Sequence, residues 1–279
     1  MIIKLPSITF IPYHLSDIKS WHGHVFFACD LIFNVKPSVI VELGVHKGDS
    51  LLTMSQICDE FSFDTELYGV DHWKGDAQSG FYQSNVFEDI LNTSNKYFNN
   101  LNLIKGNFNE VVNRFSDESI DILHIDGFHS YKEVKNDFDT WFPKVKKTGV
   151  IMLHDICSKN EGFGVHEFWN DIKKRFNYTE FYLSQGLGVI FHSEFNFNSP
   201  YLNRISDPAY RDYFNSYYSL LSNVLRMRIE LDAYPNPFDF QILESESSSI
   251  YNAAKHYGFY IFLPKFIHRI LLWIKNTKR

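Results

Sequence analysis

Two short stretches carry the side chains best suited to chemistry: His124-Ile125-Asp126-Gly127-Phe128-His129 and Leu153-His154-Asp155. In each, an apolar run ends abruptly in an acid and imidazoles. Continuous apolar runs mark buried parallel strands. Open α/β sheets place ligands in the crevice at the carboxyl ends of their strands. Two such ends, each with Asp and His, point to one shared site. Three roles suit that set: a metal centre, a general base, or ordinary capped strand ends.

The elements that must position these residues follow from the hydrophobic pattern. It predicts a helix over 21–35, stopped by Lys36-Pro37, then a buried strand over 38–43 and a helix over 50–60. Further strands are expected at 67–71, 102–105, 120–126 and 149–154, with helices over 131–145 and 165–175. Segments 180–183 and 188–192 read as a closing antiparallel pair. Strands alternating with helices predict an α/β fold: a doubly wound, seven-stranded, mostly parallel sheet. Residues 1–37 read as a lead-in and helix, 38–195 as the sheet domain, and 196–279 as a helical C-terminal appendage for accessory contacts or oligomerisation. Within that appendage, helices are expected over 208–231 and 247–275.

Composition narrows the function classes. A net charge of −6 gives no electrostatic reason to expect nucleic acid, which calls for a clustered basic face. Cys29, Cys58 and Cys157 show neither a disulfide framework nor zinc-knuckle spacing, which fits a cytoplasmic setting. The first residues lack the apolar core of a signal peptide, and no run reaches the ~18 apolar residues of a spanning helix. The last stretch, 262–279, interleaves apolar residues with Lys265, Arg269, Lys275 and Arg279. Such a helix either docks through its apolar face or lies on the inner face of an anionic membrane.

The turn Glu42-Leu43-Gly44-Val45-His46-Lys47-Gly48-Asp49-Ser50 follows the first strand and opens a helix. Gly44 and Gly48 let the backbone turn tightly and approach a ligand. The helix start near Ser50 offers free amides. The pattern is neither the dinucleotide fingerprint nor a phosphate loop. Asp71, with His72 beside it, ends the second strand where an acid can accept ribose hydroxyls. Glu42 suits a cationic amino-acid group, and Asn107-Phe108 can frame an adenine. A nucleoside cofactor without a pyrophosphate fits this set, which points to S-adenosylmethionine. His46 and Lys47 read as solvent-facing turn residues, and 73–82 as either a lid or an ordinary surface loop. Trp21, His22 and His24 either line an acceptor pocket or are satisfied structure.

The chain resembles the class I S-adenosylmethionine-dependent methyltransferases. More narrowly, it is similar to the subgroup found with bacterial glycosyltransferases and surface-polysaccharide loci. The resembling motifs are Val41-Glu42-Leu43-Gly44, Val70 to Asp76, Ser119 to Tyr131, Gly149 to Asp155 and Gly186-Leu187-Gly188-Val189, within about residues 20–192. The resemblance implies a Rossmann-like fold, a bound methyl donor and O-methylation of a sugar. A saccharide, nucleotide-sugar or glycan would be the acceptor, with a second copy or a glycosyltransferase as a partner.

Methyl transfer to a sugar hydroxyl needs a base or a metal to remove or acidify its proton. His129 is the expected base, by its near-neutral imidazole and by resemblance to metal-dependent sugar O-methyltransferases with Asp-x-x-His at this place. In those relatives an Asp matching Asp126 and an acidic pair after the next strand hold a divalent metal. Here that pair is His154-Asp155, so one acid is an imidazole. Magnesium on two carboxylates, a metal such as manganese, or no metal all stay open. Competing functions are a small-molecule methyltransferase, a hydroxylase-like enzyme, or a non-catalytic cofactor-binding scaffold in a glycan-assembly complex.

Overall fold

The continuous apolar runs become strands lying side by side, and the amphipathic segments between them become helices on both faces. The computed structural model describes residues 3, 5–76, 80–82, 85–98 and 100–232. A 3-10 turn at His22–His24 leads into α1 (Val25–Val35), followed by β1 (Val39–Leu43), α2 (Asp49–Glu60) and β2 (Glu66–Asp71). A short hairpin, β3 (Gly75–Asp76) and β4 (Gly80–Phe81), precedes α3 (Val86–Tyr97), β5 (Leu101–Lys105) and α4 (Phe108–Val111). Next come β6 (Ile120–Ile125), α5 (Tyr131–Trp141), β7 (Val145–His154) and α6 (Val165–Ile172). The chain then forms β8 (Asn177–Phe181), β9 (Leu187–Phe191), α7 (Pro200–Ile205) and α8 (Arg211–Asp232).

One compact unit spans Ile3–Arg226. A second runs from Met227 to Arg279 and is described only through the end of α8. The helix expected over 247–275 and the basic stretch 262–279 lie outside the described residues. No helix among the described residues is long and apolar enough to cross a membrane.

The seven strands order as β5-β2-β1-β6-β7-β9-β8, Rossmann-like, with β9 antiparallel to both neighbours. The winding reverses between β1 and β6, so a crevice opens at their carboxyl ends. Strand alternation assigns the two faces. Val41, Leu43, Leu123, Ile125, Ile151 and Leu153 share one core with Phe138 and Trp141 of α5 and Phe168 and Trp169 of α6. Their even-numbered neighbours Glu42, His124 and His154 therefore point to the opposite face. There α1 is pinned by Asp30, which accepts from Ser7 N at 3.0 Å, Ser7 Oγ at 2.7 Å and the Tyr218 hydroxyl at 3.0 Å.

Several expected bounds shift for identifiable reasons. The helix expected over 21–35 starts at Val25, because 22–24 wind as a 3-10 turn. Lys36 takes a left-handed φ of 53° and Pro37 forbids continuation. Helix α5 stops at Trp141, two residues before Pro143. It starts on Ser130, the N-cap, whose Oγ accepts from Glu133 N and donates to the Glu133 carboxylate at 2.7 Å. Strand β7 begins at Val145 rather than 149, since Val145 pairs with Ile120 across a register shift.

Candidate active site

The glycine turn after β1 wraps around one carboxylate. Asp71 Oδ2 accepts from Val45 N at 2.9 Å and His46 N at 3.0 Å, while Oδ1 accepts from Trp73 N at 2.7 Å. The acid expected to meet a ribose thus shapes the turn. Gly44 has φ 89°, and a Cβ there would stand 2.0 Å from the Asp126 carbonyl oxygen. Only glycine lets the turn pass so close to the end of β6. Gly48, with φ 86°, begins α2.

His46 and Lys47, expected to face solvent, are both half-buried. His46 stacks on Tyr82 after the hairpin, with ring centroids 4.8 Å apart, and Lys47 pairs with Asp17. The expected lid is therefore represented by contacts at its two ends; residues 77–79 of that loop lie outside the described residues. His72 lies half-buried, its ring 6.0 Å from that of Phe128. Asn107 opens α4 and donates to Glu110 at 3.1 Å, and Phe108 packs against the apolar core and against Gly127.

Beneath the turn, Glu42 and His124 are adjacent in the parallel register and both fully buried. His124 Nδ1 lies 2.7 Å from Glu42 Oε1, and Ser50 Oγ donates to the same oxygen. Burial raises the Glu42 pKa above the ordinary carboxylate value, a push that the His124 and Ser50 hydrogen bonds oppose. Glu42 Oε2, His124 Nε2 and Trp21 Nε1 are buried with no hydrogen-bond partner among the described residues. Leaving such groups unpaired in a core is costly.

The two strand ends that open the sequence reading converge. His154 Nδ1 faces Asp126 Oδ1 at 3.2 Å and Asp155 Oδ2 at 3.3 Å. Asp155 Oδ2 also faces His129 Nε2 at 3.0 Å. Successive strand residues point to opposite faces, yet His154 and Asp155 meet at one point. Asp155 adopts a left-handed φ of 63°, which turns its side chain back toward Asp126. A non-glycine residue there stores about 1–3 kcal/mol of strain, a cost that recurs at functional sites. His129 is held by stacking on Phe163, with centroids 4.3 Å apart at 15°.

Charge follows from this packing. Burial opposes the charged form of His154, but Asp126 and Asp155 outweigh it and hold its pKa well above the imidazole value. Burial likewise opposes the charge on Asp155, and His154 and His129 overcome it, lowering that pKa below the ordinary range. Burial opposes the charge on Asp126 as well, and His154 holds its pKa down. One ligand atom each from Asp126, His154 and Asp155 lies within 4.8 Å of the others, a grouping able to hold a metal ion.

Two further supports surround these groups. The lead-in, expected only as irregular chain, straps the glycine turn: Ser16 N and Oγ donate to Asp49 at 2.6 and 2.8 Å. His22 Nε2 lies 3.5 Å from the same carboxylate. Trp21 packs its ring 5.9 Å from that of His124, and His24 5.4 Å from that of His154. The second support is the loop Ser184-Gln185-Gly186, three consecutive left-handed residues. Carbonyl oxygens of Ser20 and Ser184 each stand 3.0 Å from His154 Nε2.

Residues 41–156 match a family model described as a methyltransferase domain. An uncharacterized protein of Sinorhizobium fredii is 32% identical over 180 residues, 64% of this chain. The chain spans only 20% of the length of that relative. Among solved structures, it is similar to the SAH-bound methyltransferase PaMTH1 of Podospora anserina, at 13% identity and a TM-score of 0.49 over 64% of this chain and 89% of that one. It is also similar to the O-methyltransferase NovP, at 12% identity and a TM-score of 0.49 over 63% and 80% of the two chains. By sequence, the stretch that carries the glycine turn, Asp71, Asp126, His129, His154 and Asp155 is thus similar to a methyltransferase domain.

Proposed function

We propose that this chain is an S-adenosylmethionine-dependent O-methyltransferase whose acceptor is a hydroxyl of a saccharide, such as a nucleotide-sugar or surface glycan. The observation that carries this reading is the convergence of Asp126, His129, His154 and Asp155 beside the glycine turn, at the switch point of the sheet. The methyl-donor reading is supported by the match of residues 41–156 and by the buried, unpaired Glu42 Oε2, which suits a ligand ammonium.

When bound, the donor supplies an electrophilic methyl group on a sulfonium. The chain's own residues hold the donor and manage the acceptor's proton. Asp71 and the amides it orders frame the ribose side, and Glu42 receives the amino-acid end. His129 takes the proton released as the acceptor oxygen gains the methyl group. The Asp155 carboxylate, 3.0 Å away, stabilises the imidazolium that results. The trio Asp126, His154 and Asp155 suits a divalent cation, which would acidify the acceptor hydroxyl.

Calorimetry of the full chain with S-adenosylmethionine is the direct test, and no saturable binding would refute it. A methyl-transfer screen of nucleotide-sugars and oligosaccharides against small phenols then tests the acceptor class. Turnover of phenols alone would overturn the saccharide assignment.

A further inference from the structure

We propose that residues 11–20 form a strap that opens to admit the methyl donor and closes over it, with Asp49 as its latch. This rests on the methyl-donor reading and adds how that site is reached.

The need for a moving part follows from burial. Glu42, which would receive the amino-acid end of the donor, is wholly buried. So is His124, which lies 2.7 Å from the Glu42 carboxylate and packs against the Trp21 ring. A ligand can reach Glu42 only if some part of the cover lifts. Strands β1 and β6 and helices α1 and α2 bury most of their side chains, which ties them to the core.

Residues 11–20 differ. The chain before them is fixed by Ser7 and Phe10, and the chain after them by Trp21 and His24, all buried. The stretch between has no helix or strand and not one buried side chain. Segments with so few buried apolar contacts open locally while the rest of the unit stays folded.

Hydrogen bonds fasten this stretch to the site. Buried Gln56 of α2 accepts from Tyr13 N and donates to Ile11 O, each at 2.7 Å. Asp49, the first residue of α2, accepts from Ser16 N at 2.6 Å and from Ser16 Oγ at 2.8 Å. Lys47 of the glycine turn pairs with Asp17, and its carbonyl oxygen lies 3.3 Å from His14 Nε2. At the far end, Ser184 Oγ donates to Lys19 O at 3.4 Å, and Ser20 O stands 3.0 Å from His154 Nε2. The strap therefore runs from the donor turn to the cluster at the end of β7. Water can replace each of these bonds at small net cost, but bonds to a carboxylate are the strongest of their kind. Asp49 accepts two from one residue, which makes it the latch.

Hydrogen exchange of the full chain, read by mass spectrometry, follows the strap amides directly. In free protein, peptides covering 11–20 should exchange at least about tenfold faster than those of α1 and α2. Saturating S-adenosylmethionine should slow exchange over 11–20 by at least about tenfold. Ser16→Ala and Asp49→Asn loosen the latch and leave Glu42 and Asp71 unaltered. Stopped-flow tryptophan fluorescence should show donor association and dissociation both quickening, by about tenfold for Asp49→Asn and by less for Ser16→Ala. Ser16→Ala is the milder change and serves if Asp49→Asn fails to fold. A fixed belt predicts exchange over 11–20 as slow as in α2, and variants that change dissociation alone. Either result would overturn the strap. Calorimetry on the same preparation separates the two readings. Saturable S-adenosylmethionine binding without protection of 11–20 rejects the strap alone. No saturable binding rejects the donor reading, and the strap with it.

Discussion

Replacing Gly44 with alanine puts a methyl group into the backbone of the next strand's end, and Gly48 provides the matched control. Both residues are left-handed, with φ of 89° and 86°. The left-handed conformation costs an L-residue about 1–2 kcal/mol, and both variants bear that cost. They differ in what the new Cβ meets. At Gly44 it stands 2.0 Å from the Asp126 carbonyl oxygen and 2.6 Å from the carbonyl carbon, neither of which can rotate away. At Gly48 the nearest atom is Leu52 Cδ1 at 3.1 Å, the end of a flexible side chain. Overpacking against rigid atoms adds about 1–3 kcal/mol. Gly44→Ala should therefore lose about 2–5 kcal/mol and Gly48→Ala about 1–2 kcal/mol, read from urea denaturation followed by circular dichroism. The relief available to Gly44→Ala is a shift of the chain at Asp126, so its methyl transfer should fall further than that of Gly48→Ala. Equal stability losses, or unaltered methyl transfer in Gly44→Ala, would refute the close-approach explanation.

Other expectations concern single groups. His129→Ala should lower methyl transfer by about 10²–10⁴-fold while donor binding by calorimetry is unchanged; loss of binding instead would make His129 structural. Burial pushes the Asp30 carboxyl from 3.8 up to about 7, opposed by its hydrogen bonds from Ser7 and Tyr218. A raised carboxyl pKa stabilises the fold fully below pH about 4, and that contribution is lost as pH rises through about 7. The shift corresponds to at most about 4 kcal/mol, so Asp30→Asn should flatten the dependence of stability on pH between 4 and 7. An unchanged slope in denaturation at several pH values would exclude Asp30 as its source. Ser130→Ala removes the cap of α5 and should cost about 1 kcal/mol in the same assay, with a loss under a few tenths counting against the cap.

The strands were legible because each central one is a short apolar run that ends in an acid or glycine. Val39 to Leu43, Ile120 to Ile125 and the end of β7 all fall where the pattern puts them. The hairpin escaped it, because residues 72–82 mix glycine, aromatic and polar residues with no steady period; α3 was missed although Val86, Phe87, Ile90 and Leu91 recur at helical spacing. Within the site, Asp126, His129, His154 and Asp155 were legible as strand ends, since strand order makes such ends converge. Their supports were not. Ser20 and Ser184 act through backbone carbonyls, which every residue carries, and Asp49 is held by a lead-in without periodicity. Nor does the pattern 153–155 show the left-handed turn at Asp155 that brings neighbouring side chains to one point.

The bracketing of His154 by two carbonyls has a kinetic consequence. Ser20 lies 134 residues before His154 in the chain and Ser184 lies 30 residues after it. Distant contacts form late in folding, because loop-closure entropy opposes them until the intervening structure is in place. The imidazole reaches its final setting only when the lead-in and the loop before β9 have both arrived beside it. A ligand held beside this cluster accordingly selects the completed fold and stabilises it by mass action, without templating earlier stages. During refolding, recovery of ligand binding should trail recovery of the sheet's circular dichroism, and the delay would measure how long the two ends take to close over the centre.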